Sequence, residues 1–224
     1  METMTVAGKE ILFSPAAQKN APLVLLHTVR GEGEEVYRAA RGMTEKPFSF
    51  AAVGGLDWEK EMSPWPIPPL FEGDKPCSGG ADEYLETLMG VILPEIMARL
   101  SEQPVYIALA GYSLAGLFAV YALHRTDRFA RIASASGSFW YPDFLEYARK
   151  NEMVKLPEHI YFSIGDKEAK TRNKILRTVE KNTRALKEFY EKQGVRTVFA
   201  LNPGNHFRDA ETRMAKGIVW ILEN

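Results

Sequence analysis

Short apolar runs alternate with helical patterns along almost the whole chain of 224 residues. The apolar runs resemble strands that are buried on both faces, and they read "APLVLLHT", "FSFAAVGGL", "PVYIALAGYS", "FARIASASGSFW", "HIYFSIGD" and "VRTVFALNPGN". A helical pattern follows most of them, as in "LAGLFAVYALHRT" and "AETRMAKGIVWILEN". This alternation predicts an α/β fold, with a mostly parallel central sheet and helices on both faces.

The remaining segments refine this picture without adding a second domain. "TMTVAGKEILFSP" has short alternating patterns about an Ala-Gly pair, which predicts an edge hairpin. Residues 56–80 are rich in Pro, Gly and Trp, so we expect an irregular loop there. It should lie near the edge of the sheet formed by the carboxyl ends of the strands, which is where active sites form in such folds. In "ADEYLETLMGVILPEIMARL", Pro94 predicts a kink. We expect one α/β domain spanning 1–224.

Composition excludes some classes of protein. The formal net charge of −1 gives no field that would attract nucleic acid. Cys77 is the only cysteine, so no internal disulfide can form. No signal-peptide pattern or membrane-spanning apolar stretch is present, so we expect a soluble, cytoplasmic protein that does not act at a membrane.

The stretch "GYSLAG" lies where a predicted strand gives way to a predicted helix, and Ser113 is at its centre. A nucleophilic serine in an α/β enzyme occupies such a sharp turn, which raises its hydroxyl above the sheet. Gly111 and Ala115, two residues before and after the serine, are small enough to let strand and helix approach closely. Ser113 is therefore a candidate nucleophile; the alternative is a capping serine in a tight turn.

His206 is the histidine best placed to act as a base. The serine, acid, histidine order of this architecture requires it to follow the last strand, as His206 does in "LNPGNHFRDA", where Gly204 would let the loop bend back. His27 and His124 come too early in the chain, and His159 begins a strand at the opposite edge. The alternative for His206 is an exposed loop residue or a helix cap.

Two carboxylates could orient this histidine. Asp166 and Glu168 both follow the strand "HIYFSIGD", where an acid would hold the imidazole in one tautomer and stabilise the imidazolium. Either could instead cap the next helix or pair with a nearby Lys or Arg. A working Ser-His pair without an acid is the third possibility.

An oxyanion site needs two backbone N–H groups. We expect one from Leu114, the residue after the serine, and the other from the loop after "LVLLH", at Val29 or, failing that, Thr28. No metal-ligand pattern is present, and "AVGGL" lacks the features of a phosphate-binding or dinucleotide-binding loop. The sequence therefore calls for neither a metal nor a cofactor.

Several aromatic residues are candidates for substrate binding. Trp58, Trp65, Trp140 and Tyr141 fall in loops near the serine's edge, and Tyr112 adjoins the serine. The loop aromatics could line an apolar pocket or could anchor the loops against the core. Basic residues exceed acidic ones between Lys167 and Arg196, which is typical of a solvated helix face or of a positive rim for an anionic substrate.

These stretches together resemble the esterase branch of the α/β-hydrolases, which includes S-formylglutathione hydrolase, feruloyl esterases and the esterases that open trilactone siderophores. The resemblance rests on "DWEKEMSPWPIPPLFEGDKPCSGGADEYL", "AGYSLAGLFAVYAL", "ASGSFWYPDF", "SIGDKEAKTRN" and "NPGNHFRDAETRMAKGIVWIL". Within this branch, the sequence most resembles the siderophore-esterase-like members. Three departures from the family pattern are Ala115 in place of Gly, His27-Thr28 in place of His-Gly, and "PGNH" in place of Gly-Gly-His.

The resemblance implies Ser113 as the nucleophile and His206 as the base. It favours Glu168 as the acid, three residues after Gly165, where many relatives have Asp; some siderophore esterases work with a Ser-His pair. We therefore expect a serine hydrolase that cleaves a small-molecule carboxylic ester through an acyl-enzyme. The alternatives are a thioesterase, acyltransferase or peptidase of the same fold, or a non-catalytic binding protein on a hydrolase scaffold.

Overall fold

The central element is a twisted sheet of eight strands, in a computed structural model that describes residues 1–224. The strands lie in the order β1-β2-β4-β3-β7-β8-β9-β10, and a separate two-stranded ladder pairs β5 with β6. Their bounds are β1 Glu2–Val6, β2 Lys9–Ser14, β3 Leu23–His27, β4 Ser49–Gly54, β5 Pro66–Ile67, β6 Cys77–Ser78, β7 Ile107–Tyr112, β8 Arg131–Ala135, β9 His159–Gly165 and β10 Arg196–Asn202.

The pairing of the strands confirms the mostly parallel sheet. From β4 through β3, β7, β8 and β9 to β10, every neighbouring pair is parallel. The N-terminal hairpin β1–β2 joins the edge of the sheet through the antiparallel pair β2–β4. The carboxyl ends of β7, β8, β9 and β10 therefore meet at one edge of the sheet, where ligands of such folds gather.

Helices cover both faces. Their bounds are α1 Gly33–Arg41, α2 Trp58–Glu61, α3 Ala81–Thr87, α4 Leu93–Met97, α5 Leu114–Ala122, α6 Phe144–Lys150, α7 Val179–Lys192 and α8 Ala210–Glu223, with a 3₁₀ turn at Leu176–Thr178. Strand β3 shows why its run is continuously apolar: Leu23 and Leu25 enter one core, while Val24 and Leu26 enter the other, which α1 and α8 cover.

The helical segment around Pro94 is irregular in a defined way. A π-helical turn, Leu88–Ile92, links α3 to α4, and the Leu93 amide donates to the Leu88 carbonyl five residues back. Pro94 has no N–H to donate and would crowd a regular helix at this point. Where a kink was predicted at Pro94, the structure has a π turn, Leu88–Ile92, that ends two residues before the proline.

The expectation of an irregular loop at residues 56–80 is correct for most of that segment but incomplete. The segment contains the one-turn helix α2 and the short ladder in which Ile67 pairs with Cys77. Ser63 fixes its ends: its Oγ accepts a hydrogen bond from the Gly79 amide at 2.9 Å and donates to the Glu59 carbonyl at 2.7 Å. Single-turn elements held by such contacts carry little sequence periodicity, so pattern analysis misses them.

Candidate active site

Ser113 occupies a strained turn between β7 and α5. Its φ is +57° and its ψ is −124°, a backbone conformation that residues with a side chain rarely adopt. The Ser113 amide donates to the Ala135 carbonyl at 3.2 Å, and the Ser113 carbonyl accepts from the Leu117 amide at 3.1 Å. The turn is therefore held by the neighbouring strand on one side and by the first helical hydrogen bond on the other.

Small residues make this turn possible. A Cβ built on Gly111 would lie 2.3 Å from the Ala115 carbonyl oxygen, and one built on Gly116 would lie 2.8 Å from Ser134 Oγ. Ala115 itself is fully buried, so its methyl group is accommodated in the contact between strand and helix. Strand and helix thus approach closely on both sides of the serine.

His206 reaches Ser113 from the loop after β10. Its Nε2 lies 3.1 Å from Ser113 Oγ. Gly204 has φ +107°, which allows the loop to turn back as expected. The Tyr112 hydroxyl donates to the His206 carbonyl at 2.7 Å and so fixes the histidine backbone above the strand end.

Glu168 is the carboxylate in contact with this imidazole. His206 Nδ1 lies 2.7 Å from Glu168 Oε2. Glu168 Oε1 accepts hydrogen bonds from the Gly165 amide at 2.6 Å, from Ser136 Oγ at 2.7 Å and from Arg213 Nη1 at 3.2 Å. Burial raises the pKa of Glu168, but the hydrogen bond and charge of His206 and the other donors outweigh it, so its pKa lies below the ordinary value.

Asp166 lies two residues away and faces a different group. Its Oδ1 accepts a hydrogen bond from the Gly204 amide at 2.6 Å, which lowers the pKa of Asp166. The Asp166 amide also donates to the Asn202 carbonyl at 2.8 Å. Asp166 therefore ties the β9 loop to the loop that carries His206, without contacting the imidazole.

The amides expected to bind an oxyanion differ in whether they already donate a hydrogen bond within the protein. Leu114 begins α5, and the first hydrogen bond inside that helix is made by the Leu117 amide, so the Leu114 amide has no acceptor within the helix. The Thr28 amide donates to the Val53 carbonyl at 2.9 Å, which extends the sheet pairing. Thr28 is therefore not an oxyanion donor, and that expectation was wrong.

Val29, the preferred second donor, is engaged by a carboxylate. Its amide donates to Glu32 Oε1 at 3.1 Å, and the Arg30 amide donates to Glu32 Oε2 at 2.8 Å. Two adjacent N–H groups in this loop thus hold a negatively charged group at the wall of the site. This arrangement has no sequence signal beyond an acidic residue at the start of α1.

A cavity of about 330 Å³ opens beside Ser113 and His206. Its walls are mostly apolar and include Trp58 and Tyr112, two of the residues predicted to bind substrate. Other residues that line the cavity include Val29, Arg30, Glu32, Phe207, Glu211 and Met214. Phe207 is 82% exposed, so an aromatic ring stands open to solvent at the mouth.

The remaining candidate aromatics lie away from this cavity. Trp65 Nε1 donates to the Pro142 carbonyl at 3.2 Å, and its ring packs against Tyr141 and Phe144. Tyr141 is buried, and Trp140 lines a separate surface groove beside α6. Trp65 and Trp140 therefore do not line the serine's cavity; Trp65 anchors its loop to the core because its large ring is covered by other aromatics.

The other histidines are structural. His27 is buried, its Nε2 lies 2.7 Å from the Tyr84 hydroxyl, and burial lowers its pKa to about 3. His124 Nε2 pairs with the Tyr190 hydroxyl at 2.9 Å, and burial lowers its pKa also. His159 begins β9, at the edge of the sheet opposite the serine.

Four polar residues of this site were not identified from the sequence. Ser138 Oγ lies 3.3 Å from Ser113 Oγ, and Ser136, Arg213 and Glu32 contact the groups described above. Ser136 and Ser138 lie in the quoted "ASGSFWYPDF", directly after β8, so the rule that chemistry follows each strand could have found them. Arg213 lies inside a helix and had no such signal.

Comparisons with known proteins identify a family for this chain. A family model described as Putative esterase matches residues 44–210. The Bacillus subtilis uncharacterized protein YbbA is 26% identical over 137 residues, which cover 60% of this chain and 55% of that protein. An iron(III) enterobactin esterase of Escherichia coli is 28% identical over 160 residues, which cover 60% of this chain and 37% of that protein.

A solved structure shares the fold. The IroE-like serine hydrolase from Shewanella oneidensis superposes with a TM-score of 0.75 at 17% identity, covering 95% of this chain and 75% of that one. The chain spans about half or less of the length of the two curated relatives. The family model nevertheless covers most of the chain, including the serine elbow and the histidine loop, and the chain therefore belongs to the family described as Putative esterase.

Proposed function

We propose that the protein is a serine hydrolase that cleaves carboxylic esters through an acyl-enzyme. One observation carries the proposal: Ser113 Oγ lies 3.1 Å from His206 Nε2, and His206 Nδ1 lies 2.7 Å from Glu168 Oε2. A nucleophile, a base and an orienting acid are thus joined in one chain of hydrogen bonds. A binding protein on this scaffold would need none of the three.

The contacts define the path of the proton. Glu168 Oε2 accepts a hydrogen bond from the Nδ1–H group of His206, and this tautomer leaves the Nε2 lone pair directed at the Ser113 hydroxyl. Ser113 Oγ attacks the ester carbonyl while His206 takes its proton. The imidazolium then gives that proton to the leaving alkoxide, and the acyl-enzyme remains. Water, activated by the same histidine, releases the acid and restores Ser113.

The Leu114 amide is the proposed first oxyanion donor. The Val29 amide is the proposed second donor, and it becomes free when the Glu32 carboxylate moves away from it. In this proposal the carbonyl oxygen of the bound ester replaces one carboxylate oxygen of Glu32, because both are hydrogen-bond acceptors of similar size. Each such donor contributes roughly 10²–10³ in rate in hydrolases of this kind.

The substrate class follows from the cavity and the relatives. The apolar walls near Ser113 suit an ester with an apolar or aromatic acyl group. The similarity to the E. coli iron(III) enterobactin esterase supports a siderophore ester as the particular substrate. Arg30 is the one cationic side chain of the cavity, beside Glu32 and Glu211, so a strongly anionic ester would have to rely on groups outside it.

A substrate panel with matched variants tests the proposal. Nitrophenyl esters, a thioester, an anilide and trilactones with and without iron are offered to the wild type, Ser113→Ala and Ser163→Ala. Ser163 is a control because its hydroxyl is buried and has no hydrogen-bond partner. We expect ester cleavage to fall by about 10⁴–10⁶ in Ser113→Ala and to persist in Ser163→Ala.

Each result of this panel has a defined meaning. Equal ester turnover by Ser113→Ala and wild type would refute the mechanism. A preference for the thioester or the anilide would move the protein to another acyl-transfer class. Intact trilactones beside cleaved simple esters would remove the siderophore ester as substrate.

A further inference from the structure

Arg213 is a charged side chain enclosed within the protein behind the proposed site. It lies in the first turn of α8, and 2% of its side chain is exposed. A buried charge is unfavourable unless it is paired and hydrogen-bonded. The carboxylate of Glu168, itself only 4% exposed, is the acidic group that pairs with it, at 3.2 Å.

The guanidinium contacts the segments at the ends of β7, β8, β9 and β10. Nη1 donates to Glu168 Oε1 after β9, to the Tyr112 hydroxyl at 3.3 Å at the end of β7, and to Ser136 Oγ after β8 at 3.5 Å. Nη2 donates to the Pro203 carbonyl at 2.9 Å, three residues before His206. Arg213 thus meets the carboxyl ends of four adjacent strands from a single helix.

The two oxygens of Glu168 are divided between two cationic partners. Oε1 faces Arg213, whereas Oε2 faces His206. A carboxylate that is already neutralised by a guanidinium attracts a second positive charge less strongly than a free carboxylate does. The charge of Arg213 therefore opposes protonation of the imidazole, while its hydrogen bond keeps Glu168 aligned with Nδ1.

We propose that Arg213 is a positioning residue of the site, which orients Glu168 and, by neutralising it, keeps His206 in its neutral, proton-accepting form at lower pH. This inference rests on the proposed hydrolase function for its catalytic meaning, although its electrostatic part can be measured independently. The sign follows from the charges: removal of the guanidinium leaves the full negative charge of Glu168 beside the imidazole, which favours the imidazolium. His206 should then take up its proton at a higher pH.

Other ionisable groups surround this cluster, and all of them are unchanged in the Arg213 variants. On the strand and loop side they are Tyr112, Tyr161, Asp166, Lys167 and Lys170; on the cavity and helix side they are Arg30, Glu32, Arg208, Asp209 and Glu211. None of these cations is in hydrogen-bond contact with Glu168. The exposed Arg208, on the same loop as His206, is therefore a matched control for the loss of one arginine charge.

The test is an NMR titration of the His206 imidazole in the full chain. The variants are Arg213→Gln, Arg213→Met, Arg213→Lys and Arg208→Gln. Arg213→Gln is included because a methionine removes every hydrogen bond that position 213 gives to Glu168 and to the Pro203 carbonyl, which endangers folding, whereas glutamine keeps an amide donor. In the glutamine variant, Glu168 retains donors in His206, Ser136 and Gly165.

We expect the His206 titration midpoint to rise by about one pH unit in Arg213→Gln and Arg213→Met, and to stay near the wild-type value in Arg213→Lys and Arg208→Gln. The acidic limb of kcat/KM for an ester should move to higher pH by the same amount.

A His206 titration midpoint in folded Arg213→Gln that equals or lies below that of wild type would overturn the proposal and leave Arg213 a packing residue. Because the titration needs no turnover, a protein that cleaves no ester would refute the hydrolase function without affecting this result.

Discussion

At the scale of single residues, Asp166 and Glu168 lie two positions apart, yet only Glu168 contacts the imidazole. Glu168 is buried and accepts four hydrogen bonds, whereas Asp166 lies at the surface and accepts one from the Gly204 amide. The residues alone left both open because two carboxylates in one loop have the same chemistry, and the family resemblance favoured Glu168. Their separation comes from the direction in which each side chain leaves the loop.

This difference predicts unequal effects of two matched substitutions. Glu168→Gln should lower kcat by about 10²–10⁴, because an amide neither selects the productive tautomer nor stabilises the imidazolium. Asp166→Asn should lower kcat by less than about 10-fold, because the amide oxygen still accepts from Gly204. Steady-state kinetics on one ester measure both, and a larger loss in Asp166→Asn would reverse the assignment.

Ser138 places a second hydroxyl beside Ser113, the proposed nucleophile. If Ser113 gives its proton to His206, the 3.3 Å hydrogen bond between the two serines must be donated by Ser138. Ser138 is buried, and its amide also donates to the Ser113 carbonyl at 3.0 Å. It is placed to hold the Ser113 hydroxyl toward His206, the proposed base.

We expect Ser138→Ala to lower kcat by about 10-fold, the value of one hydrogen bond, with little change in KM for a small ester. Ser163→Ala, which removes a buried hydroxyl that has no partner, should leave kcat unchanged. Kinetics of the two variants under one set of conditions make the comparison. Equal kcat values would show that the Ser138 hydroxyl plays no part in turnover.

At the scale of elements, the turn between β7 and α5 depends on the absence of side chains at Gly111 and Gly116. The strand and the helix are in contact where Gly111 meets Ala115, and a methyl group on Gly111 has no space between them. The strain at Ser113 persists because both elements that it joins are packed in the core. The geometry of Ser113 is therefore a property of the whole strand–turn–helix unit.

The same substitution at two glycines tests this statement. Gly111→Ala should lower the free energy of unfolding by roughly 2–3 kcal/mol and abolish ester cleavage, because the helix must move away from the strand. Gly90→Ala, in the π turn, meets no atom within 4 Å and should be neutral or slightly stabilising. Urea denaturation measures both; equal stability of the two variants would contradict the close-packing account.

Elements with a local sequence pattern could be predicted, whereas elements that depend on tertiary contacts could not. The long strands and helices, the elbow and the histidine loop carry periodicity or turn residues, so the sequence was sufficient to predict them. The ladder β5–β6 and the π turn depend on tertiary contacts and on one proline, so pattern analysis could not define them. The Glu32 contacts that engage the Val29 amide were equally hidden, because backbone donors have no residue signature.

At the scale of the whole molecule, the order of the strands is what assembles the site. β7, β8, β9 and β10 are adjacent and parallel, so the loops that follow them converge although Ser113 and His206 are 93 residues apart. This convergence was predictable, since parallel α/β sheets place all such loops at one edge. The buried arginine behind the site could not be predicted, because a charged residue in a helix is usually a surface residue.

No helix has both the length and the apolar character needed to span a membrane.

Buried histidines make the stability of the fold depend on pH. The pKa of His27 is about 3 in the folded protein because of burial, against 6.5 for an ordinary histidine. As the pH falls below about 6.5, the unfolded chain binds a proton that folded His27 does not. The free energy of unfolding therefore falls by about 1.4 kcal/mol per pH unit on account of this residue, down to a pH near its folded pKa.

Replacement of His27 by glutamine should remove this contribution, because the amide can still pair with the Tyr84 hydroxyl but does not titrate. We expect the unfolding free energy of His27→Gln to fall less steeply with decreasing pH than that of wild type between about pH 6 and 4. Above about pH 7 the two curves should run parallel. Urea denaturation at a series of pH values measures the slopes, and equal slopes below pH 6 would show that His27 is not the source.

The most direct test of the proposed site is covalent labelling with a fluorophosphonate, followed by peptide mass spectrometry. The reagent needs a nucleophile activated by a base but no knowledge of the natural substrate. We expect one adduct, on Ser113, with labelling lost in Ser113→Ala and strongly slowed in His206→Ala. An unlabelled wild-type protein, or an adduct on another residue such as Ser138 with Ser113 unmodified, would contradict the account.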